Sequence, residues 1–157
     1  MIEVRRAIAA DAEAITRIAR DVHAMHAGAL PEVFQPSLAE EAGAADFARL
    51  TSSDGHLLLA AHDGREVVGY AHAEVQRQPP SPYKRAAARL HVHAMGVSAA
   101  HRGKGTGSAL LAALREEARR RSLDGLSLEV YAFNEAARRF YEREGFVDER
   151  TRMTGPA

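Results

Sequence analysis

The chain has 157 residues, 21 Lys plus Arg against 21 Asp plus Glu, eight His and no Cys. The length suits one domain, 1–157, with a single sizeable core. The lack of Cys excludes a disulfide scaffold, a Cys-based metal centre and a cysteine nucleophile. Zero net charge argues against a dedicated partner among nucleic acids or anionic membranes, whose binders carry excess Lys and Arg. No run approaches the roughly 18–20 apolar residues that span a bilayer. The N-terminal MIEVRRAIAADAEAI has no apolar stretch after its charges, so no secretory signal is expected and the expected location is cytoplasmic.

In chain order, Glu3 to Ile8 reads as a short edge strand. Asp11 offers an N-cap to a helix over Ala12–Met25, with Ile15, Ile18, Ala19 and Val22 at helical spacing. Gly28 and Pro31 break it. Ser37 to Leu50 reads as a second helix. Leu38, Ala42, Ala45 and Leu50 form its expected apolar side, and Ser37 with Glu40 fits a capping box. His56–His62 and Glu66–Val75 form two strands about the turn signal Asp63-Gly64. A Pro-rich loop, Gln78–Lys84, precedes a strand over Arg89–Val97. A sharp change at 98–107 leads into a long helix striped by Leu110, Leu111, Leu114 and Ala118, ending near Ser122. Leu126–Val130 is a strand, Asn134–Glu144 a helix, and Phe146 to about Met153 a last strand. This alternation predicts an α/β (α+β) fold in three layers, a sheet with helices on both faces.

The segment His101-Arg102-Gly103-Lys104-Gly105-Thr106-Gly107-Ser108 carries the first chemical signal. Three alternating glycines allow close backbone approach, and the N–H groups opening the following helix favour an anion. Arg102 and Lys104 add charge beside them. Phosphate binding and a plain glycine-rich cap both fit this loop. It is not a Walker A loop, since Gly105 follows Lys104, and the third glycine of a dinucleotide fingerprint is replaced by Leu110.

Arg102-x-x-Gly105-x-Gly107 resembles the Gln/Arg-x-x-Gly-x-Gly/Ala signature of the GNAT superfamily, the GCN5-related N-acetyltransferases. Further on, Asn134 to Phe146 (NEAARRFYEREGF) is similar to the second signature of that family, N-x-x-A-x-x-x-Y-x-x-x-G-F. The resemblance implies a mixed, mostly antiparallel sheet that splays into a cleft, with acetyl-CoA as co-substrate and no metal. It implies that Arg102, Gly103, Lys104, Gly105, Thr106, Gly107 and Ser108 hold the pyrophosphate. Met95, Gly96 and Val97 would flank the pantetheine, which pairs like an extra strand, with Gly96 suited to the bulge usual there. Asn134 would reach the cofactor from the far side of the cleft. Ala99 stands where a proline is frequent.

Acetylation of an amine requires loss of a proton from a group whose solution pKa is near 10. His91 and His93 lie two apart on a strand, which by alternation turns both the same way as Met95 and Val97. An imidazole with pKa near 6.5 can take or pass that proton at neutral pH, although two inert, hydrogen-bonded strand histidines would read the same. The string His91-Val92-His93-Ala94-Met95-Gly96-Val97 closely resembles the His-x-His strand of arylalkylamine N-acetyltransferases within GNAT, where both histidines serve a proton path. The backbone N–H of Val97 or Met95 offers an oxyanion donor. Tyr141 matches the family tyrosine that donates to the departing thiolate. The alternative for Tyr141 is packing, as for Phe140.

The family builds its acceptor site from the first two helices and nearby loops, here 26–36 and 78–84. His26, Phe34 and Tyr83 are candidates there, with Glu74 as a spare base or acceptor contact; each also reads as packing or a solvated face. His23 and His26 lack a third metal ligand, and His56, His62 and His72 fall into no constellation. The expected activity is acetyl transfer from acetyl-CoA to a primary amine of a small molecule. Alternatives are a protein Lys or N-terminal acceptor, or a non-catalytic acyl-CoA-binding module. Homodimers are common in the family, and the sequence marks no interface.

Overall fold

A computed structural model describes residues 1–37 and 40–157. Five strands form one sheet in the order β1 (Ile2–Arg6), β2 (His56–Asp63), β3 (Glu66–Gln78), β4 (Ala87–Val97), β5 (Leu126–Leu128). The first four pair antiparallel, and β4 with β5 is the single parallel pair. α1 (Ala12–Ala29) and α2 (Glu40–Leu50) cover one face, where Ile15, Ile18 and Ala19 meet Leu58, Ala60 and Tyr70. α3 (Thr106–Arg120) and α4 (Glu135–Arg143) cover the other. There Leu110, Leu111, Leu114 and Ala118 pack on Leu57, Leu59, Val68, Ala71, Leu90 and Val92, and Phe140 and Tyr141 join their margin. The three-layer α/β expectation therefore holds, with both apolar faces of the sheet buried.

The hairpin turns at Gly64, whose φ of +60° suits the tight link between Asp63 and Glu66. Several local expectations give way. α1 runs through Gly28 to Ala29, because one glycine costs a helix only about 1 kcal/mol. α2 buries Gly43 and packs Phe47 and Leu50, while Ala45 is exposed. Leu38, the side chain of Ala42 and the Ser37–Glu40 capping box lie outside the described residues. β5 stops at Leu128, and residues 146–157 form no strand. That segment is instead held along the sheet margin by side chains, through Arg89–Glu149 at 3.0 Å and Arg138–Asp148 at 3.1 Å.

Asp11 stands at the start of α1, yet its side chain does not cap that helix. Its buried carboxylate reaches back to the Ile8 N–H at 2.9 Å and takes two hydrogen bonds from Arg5, at 2.8 and 3.1 Å. Burial by itself would raise its pKa, but Arg5 and the Ile8 N–H outweigh it and hold the carboxyl below its ordinary value. A lowered folded-state pKa gives stability that is present above the unfolded value, near 3.9, and is lost as pH falls through the folded one. Asp11→Ala is expected to lower stability by about 1.5–3 kcal/mol at pH 7. Urea unfolding at pH 7 and pH 3 tests this, the deficit being smaller at pH 3.

Candidate active site

β4 pairs with β5 only from Leu90↔Leu126 to Val92↔Leu128. Beyond Val92 its partner is β3 alone, so among the described residues the other edge of His93–Val97 is open. Ser98 donates its N–H to Val68 on β3 at 2.9 Å. Alternation along the strand therefore turns the Val97 and Met95 N–H groups to the open edge. An extended group laid there meets an unpaired strand.

The register between β3 and β4 slips at His93: His72 opposes Ala94, and Ala73 opposes Val92. The bulge thus lies at His93 and not at Gly96. One extra residue shifts the side-chain alternation downstream. Met95 and Val97 stay with Leu90 and Val92 on the α3 face, while His91, His93 and Ala94 lie on the α1/α2 face. The expectation that both histidines share a face with Met95 and Val97 is corrected by this bulge. Gly96 serves close packing instead: a Cβ there would stand 2.8 Å from Tyr70 Cε1 and 3.1 Å from both Ile18 and Val22.

The glycine loop lies beyond the end of β4. Gly103 and Gly105 adopt φ of +72° and +85°, and a Cβ on either would meet nothing within 4 Å. The loop is therefore open on its outer side. Ala109 makes the first helical bond of α3, to Gly105 at 2.9 Å, so the N–H groups of the preceding turn have no helical acceptor. Arg102 and Lys104 are exposed beside them, Arg102 also touching the Val97 carbonyl at 3.3 Å. Thr106 is buried. The Ser108 hydroxyl is bound to Glu144 at 2.5 Å, which leaves its backbone N–H for a ligand.

Glu144 also takes a bond from Arg115 at 3.2 Å, and Arg115 lies over the Phe146 ring at 5.8 Å. This clamp seats α4 on α3. Asn134 caps α4, accepting the Ala137 N–H at 3.2 Å, so its amide NH₂ is what remains for other contacts. Tyr141 packs between Phe140 and Phe146, with ring centroids 5.2 and 5.5 Å away. Burial pushes its phenol pKa up. Gly107 makes room for Phe140, whose Cζ would lie 2.9 Å from an added Cβ. Gly107→Val is expected to cost about 1–3 kcal/mol through overpacking and to raise KM for the ligand of the loop. An unchanged urea midpoint would mean that Phe140 swings aside freely.

On the opposite face the histidines meet. His93 Nε2 lies 2.9 Å from Glu74 Oε2. That hydrogen bond, stronger than burial, holds the Glu74 carboxyl below its usual value. A carboxylate only accepts, so Nε2 carries the hydrogen and Nδ1 is the free base of neutral His93. His91 Nδ1 contacts Ser127 Oγ at 3.0 Å, and the two rings stand 4.9 Å apart. Burial, then His93, pushes the His91 pKa down, so this imidazole is neutral at pH 7. Glu74 is thus a partner of His93 rather than a solvated spare.

His26 and Phe34 do come together, ring centroids 5.3 Å apart, with Tyr131 and Phe133 from the β5–α4 connection. Tyr83 does not join them and is 95% exposed. Sequence reasoning missed Tyr131, Phe133 and Ser127, whose positions carry no local motif, and it left His56 and His72 unassigned. In the fold His72 lies beside His93, and His56 beside His72. His23 contacts the Gln35 carbonyl at 2.8 Å, and among the described residues no three His, Asp or Glu side chains are placed to hold a metal ion together. No helix among them is long and apolar enough to cross a membrane.

The edge of β4 thus opens beside the glycine loop, with Tyr141 toward the α3/α4 face and the His91–His93 pair toward the α1/α2 face. The chain belongs to the acetyltransferase (GNAT) family, whose sequence model matches residues 19–146. It is 36% identical over 95 residues to an uncharacterized N-acetyltransferase, YycN, of Bacillus subtilis; the match covers 59% of this chain and spans about half, 56%, of that relative. A mutant of the BH1408 protein from Bacillus halodurans superposes with a TM-score of 0.90 at 24% identity, covering 99% of each chain. The aminoglycoside N-acetyltransferase AAC(6')-Iy, solved in complex with CoA, superposes at 0.79 with 13% identity, over 100% of this chain and 95% of that one. These solved structures share its fold.

Proposed function

We propose that this chain transfers an acetyl group from acetyl-CoA to a primary amine of a small molecule, by direct attack within a ternary complex. The observation that carries the reading is the open edge of β4, which has the glycine loop at its end, Tyr141 on one side and the His93–Glu74 pair on the other.

The residues fit the cofactor. The outward space at Gly103 and Gly105 and the unbonded N–H groups from Thr106 to Ser108 suit a pyrophosphate, with Arg102 and Lys104 adding charge. The edge at Met95 to Val97 suits an extended pantetheine, and the Asn134 amide NH₂, left over from capping α4, is available to the same ligand. Related folds solved with CoA and with a CoA–acetylneamine bisubstrate analogue support both the donor and a small amine acceptor. When bound, acetyl-CoA supplies the acetyl thioester.

His93 Nδ1, with Nε2–H held by Glu74, takes the amine proton, and His91 lies in contact to share it. The Met95 or Val97 N–H stabilises the carbonyl oxygen as it gains charge. Tyr141 offers its O–H to the leaving sulfur. Base and acid sit on opposite faces of one strand, so the amine approaches from the α1/α2 side and the thiol departs on the α3/α4 side. His26 and Phe34, with Tyr131 and Phe133, form the apolar wall on the acceptor side.

The test is incubation with acetyl-CoA and a panel of small amines, Lys peptides and N-terminal peptides, following free thiol. The chain contributes no Cys, so every thiol released reports turnover. Release with small amines supports the reading, and release with peptides alone moves the acceptor to protein. Cofactor binding without release from any amine would mark a binding module.

A further inference from the structure

The acetyl-transfer reading uses two of the imidazoles on the α1/α2 face, but the fold gathers four. His56 on β2, His72 on β3 and His93 with His91 on β4 occupy neighbouring strands. His56 Nδ1 is 3.0 Å from His72 Nε2. The His72 and His93 rings are 5.1 Å apart and tilted by 31°, a gap that one ring rotation or one bridging water closes. At the far end His56 lines a surface pocket with Asp46, Arg49, Leu50 and Ser53, at the C-terminal end of α2.

Resting on the acetyl-transfer reading, we infer that His72 and His56 carry the acceptor's proton from His93 across the sheet and release it to solvent beside α2. Amines and protons then use different openings. An apolar side chain at His72 would pack between its neighbours without the cost of burying a polar ring, and the fold spends that cost on a ring that bonds His56 and lies 5.1 Å from His93. Burial, then His93 and His56, pushes the His72 pKa down to about 4, with Glu74 opposing them. His72 is therefore neutral at working pH and has one N–H and one lone pair. It accepts a proton on one nitrogen while giving up the other, which is what an inner relay must do, and it does not trap the proton. The groups facing this row are Glu74 on its own strand, His91 and His93 from β4, His56 from β2, and Asp46 and Arg49 around the exit. Glu129 and Arg150 bear on His91. His72 and His56 touch neither reacting group, so they are relay residues rather than catalytic ones.

The test compares wild type, His56→Gln and His72→Gln in weak buffer, with and without added imidazole, using the amine that wild type acetylates. The relay predicts that kcat falls roughly tenfold, less than the ~10²-fold expected when a direct base is lost. KM for acetyl-CoA and amine should hold, and imidazole should restore the rate. Wild-type rates in both variants would overturn the relay, as would a loss that imidazole leaves in place. Should His72→Gln fail to fold, His56→Gln decides, since that ring sits at the half-exposed start of a strand. A wild type that binds acetyl-CoA yet acetylates no amine overturns the parent reading and the relay together. Active wild type with unaffected variants overturns the relay alone.

Discussion

Tyr141→Phe should lower kcat for acetyl transfer by about 10²-fold, the low end of a proton-donor contribution, while acetyl-CoA binds as before. A buried phenol, raised above its usual pKa, stays protonated through the working range. A thiol has a pKa near 8.5 and a phenol near 10, so full transfer to the sulfur runs uphill. In the proposed reaction Tyr141 then serves mainly through a hydrogen bond to the sulfur as charge builds, which places the effect at the low end. Phe keeps the ring contacts with Phe140 and Phe146 at 5.2 and 5.5 Å, so stability changes little. Steady-state thiol release beside calorimetric binding of CoA separates the two effects. An unchanged kcat would remove Tyr141 from the chemistry.

Replacing His91 and His93 together by Gln should lower kcat/KM by about 10²–10³-fold at pH 7 and move the acidic limb of the pH–rate profile to higher pH. With the imidazoles present, activity falls only when they protonate. Burial and His93 push His91 down, so that imidazole stays neutral to the acid side of the usual histidine value near 6.5. Without them the reaction waits for free amine in solution. For an alkyl ammonium with pKa near 10.4, that fraction grows about tenfold per pH unit below the pKa. The variant rate should therefore climb steadily through the alkaline range. An unchanged limb would assign the base to Glu74 or water. The single His93→Gln variant should account for most of the loss, because His93 alone has its tautomer set by Glu74.

Much of the fold was legible because local signals agreed with tertiary packing. The leucine stripe of α3, the turn at Asp63-Gly64 and the apolar runs of β2 and β3 each dictate a face or a reversal within a few residues. The expected strand over 146–153 failed because a strand needs a partner edge, and β5 ends at Leu128. Of the site, the glycine loop and Tyr141 could be read directly, being set by spacing along the chain. The face of the histidines could not. Simple alternation puts His91 and His93 with Met95 and Val97, and the bulge at His93 separates them. Gly96 pointed the expected bulge to the wrong residue, and nothing in the composition marks His93, whose bulge arises from pairing with β3.

By itself the sequence determined most of the elements, the glycine loop and the chemical types available, because helix period, glycine freedom and side-chain pKa are local properties. Only the tertiary structure decided which imidazoles work together. It opened β4 by ending β5 early, and it set Tyr141 and the His91–His93 pair on opposite faces of the sheet. It also drew His72 and His56, 16 residues apart, to within 3.0 Å. Those arrangements depend on strand register, and register is fixed by how a whole sheet buries its two faces.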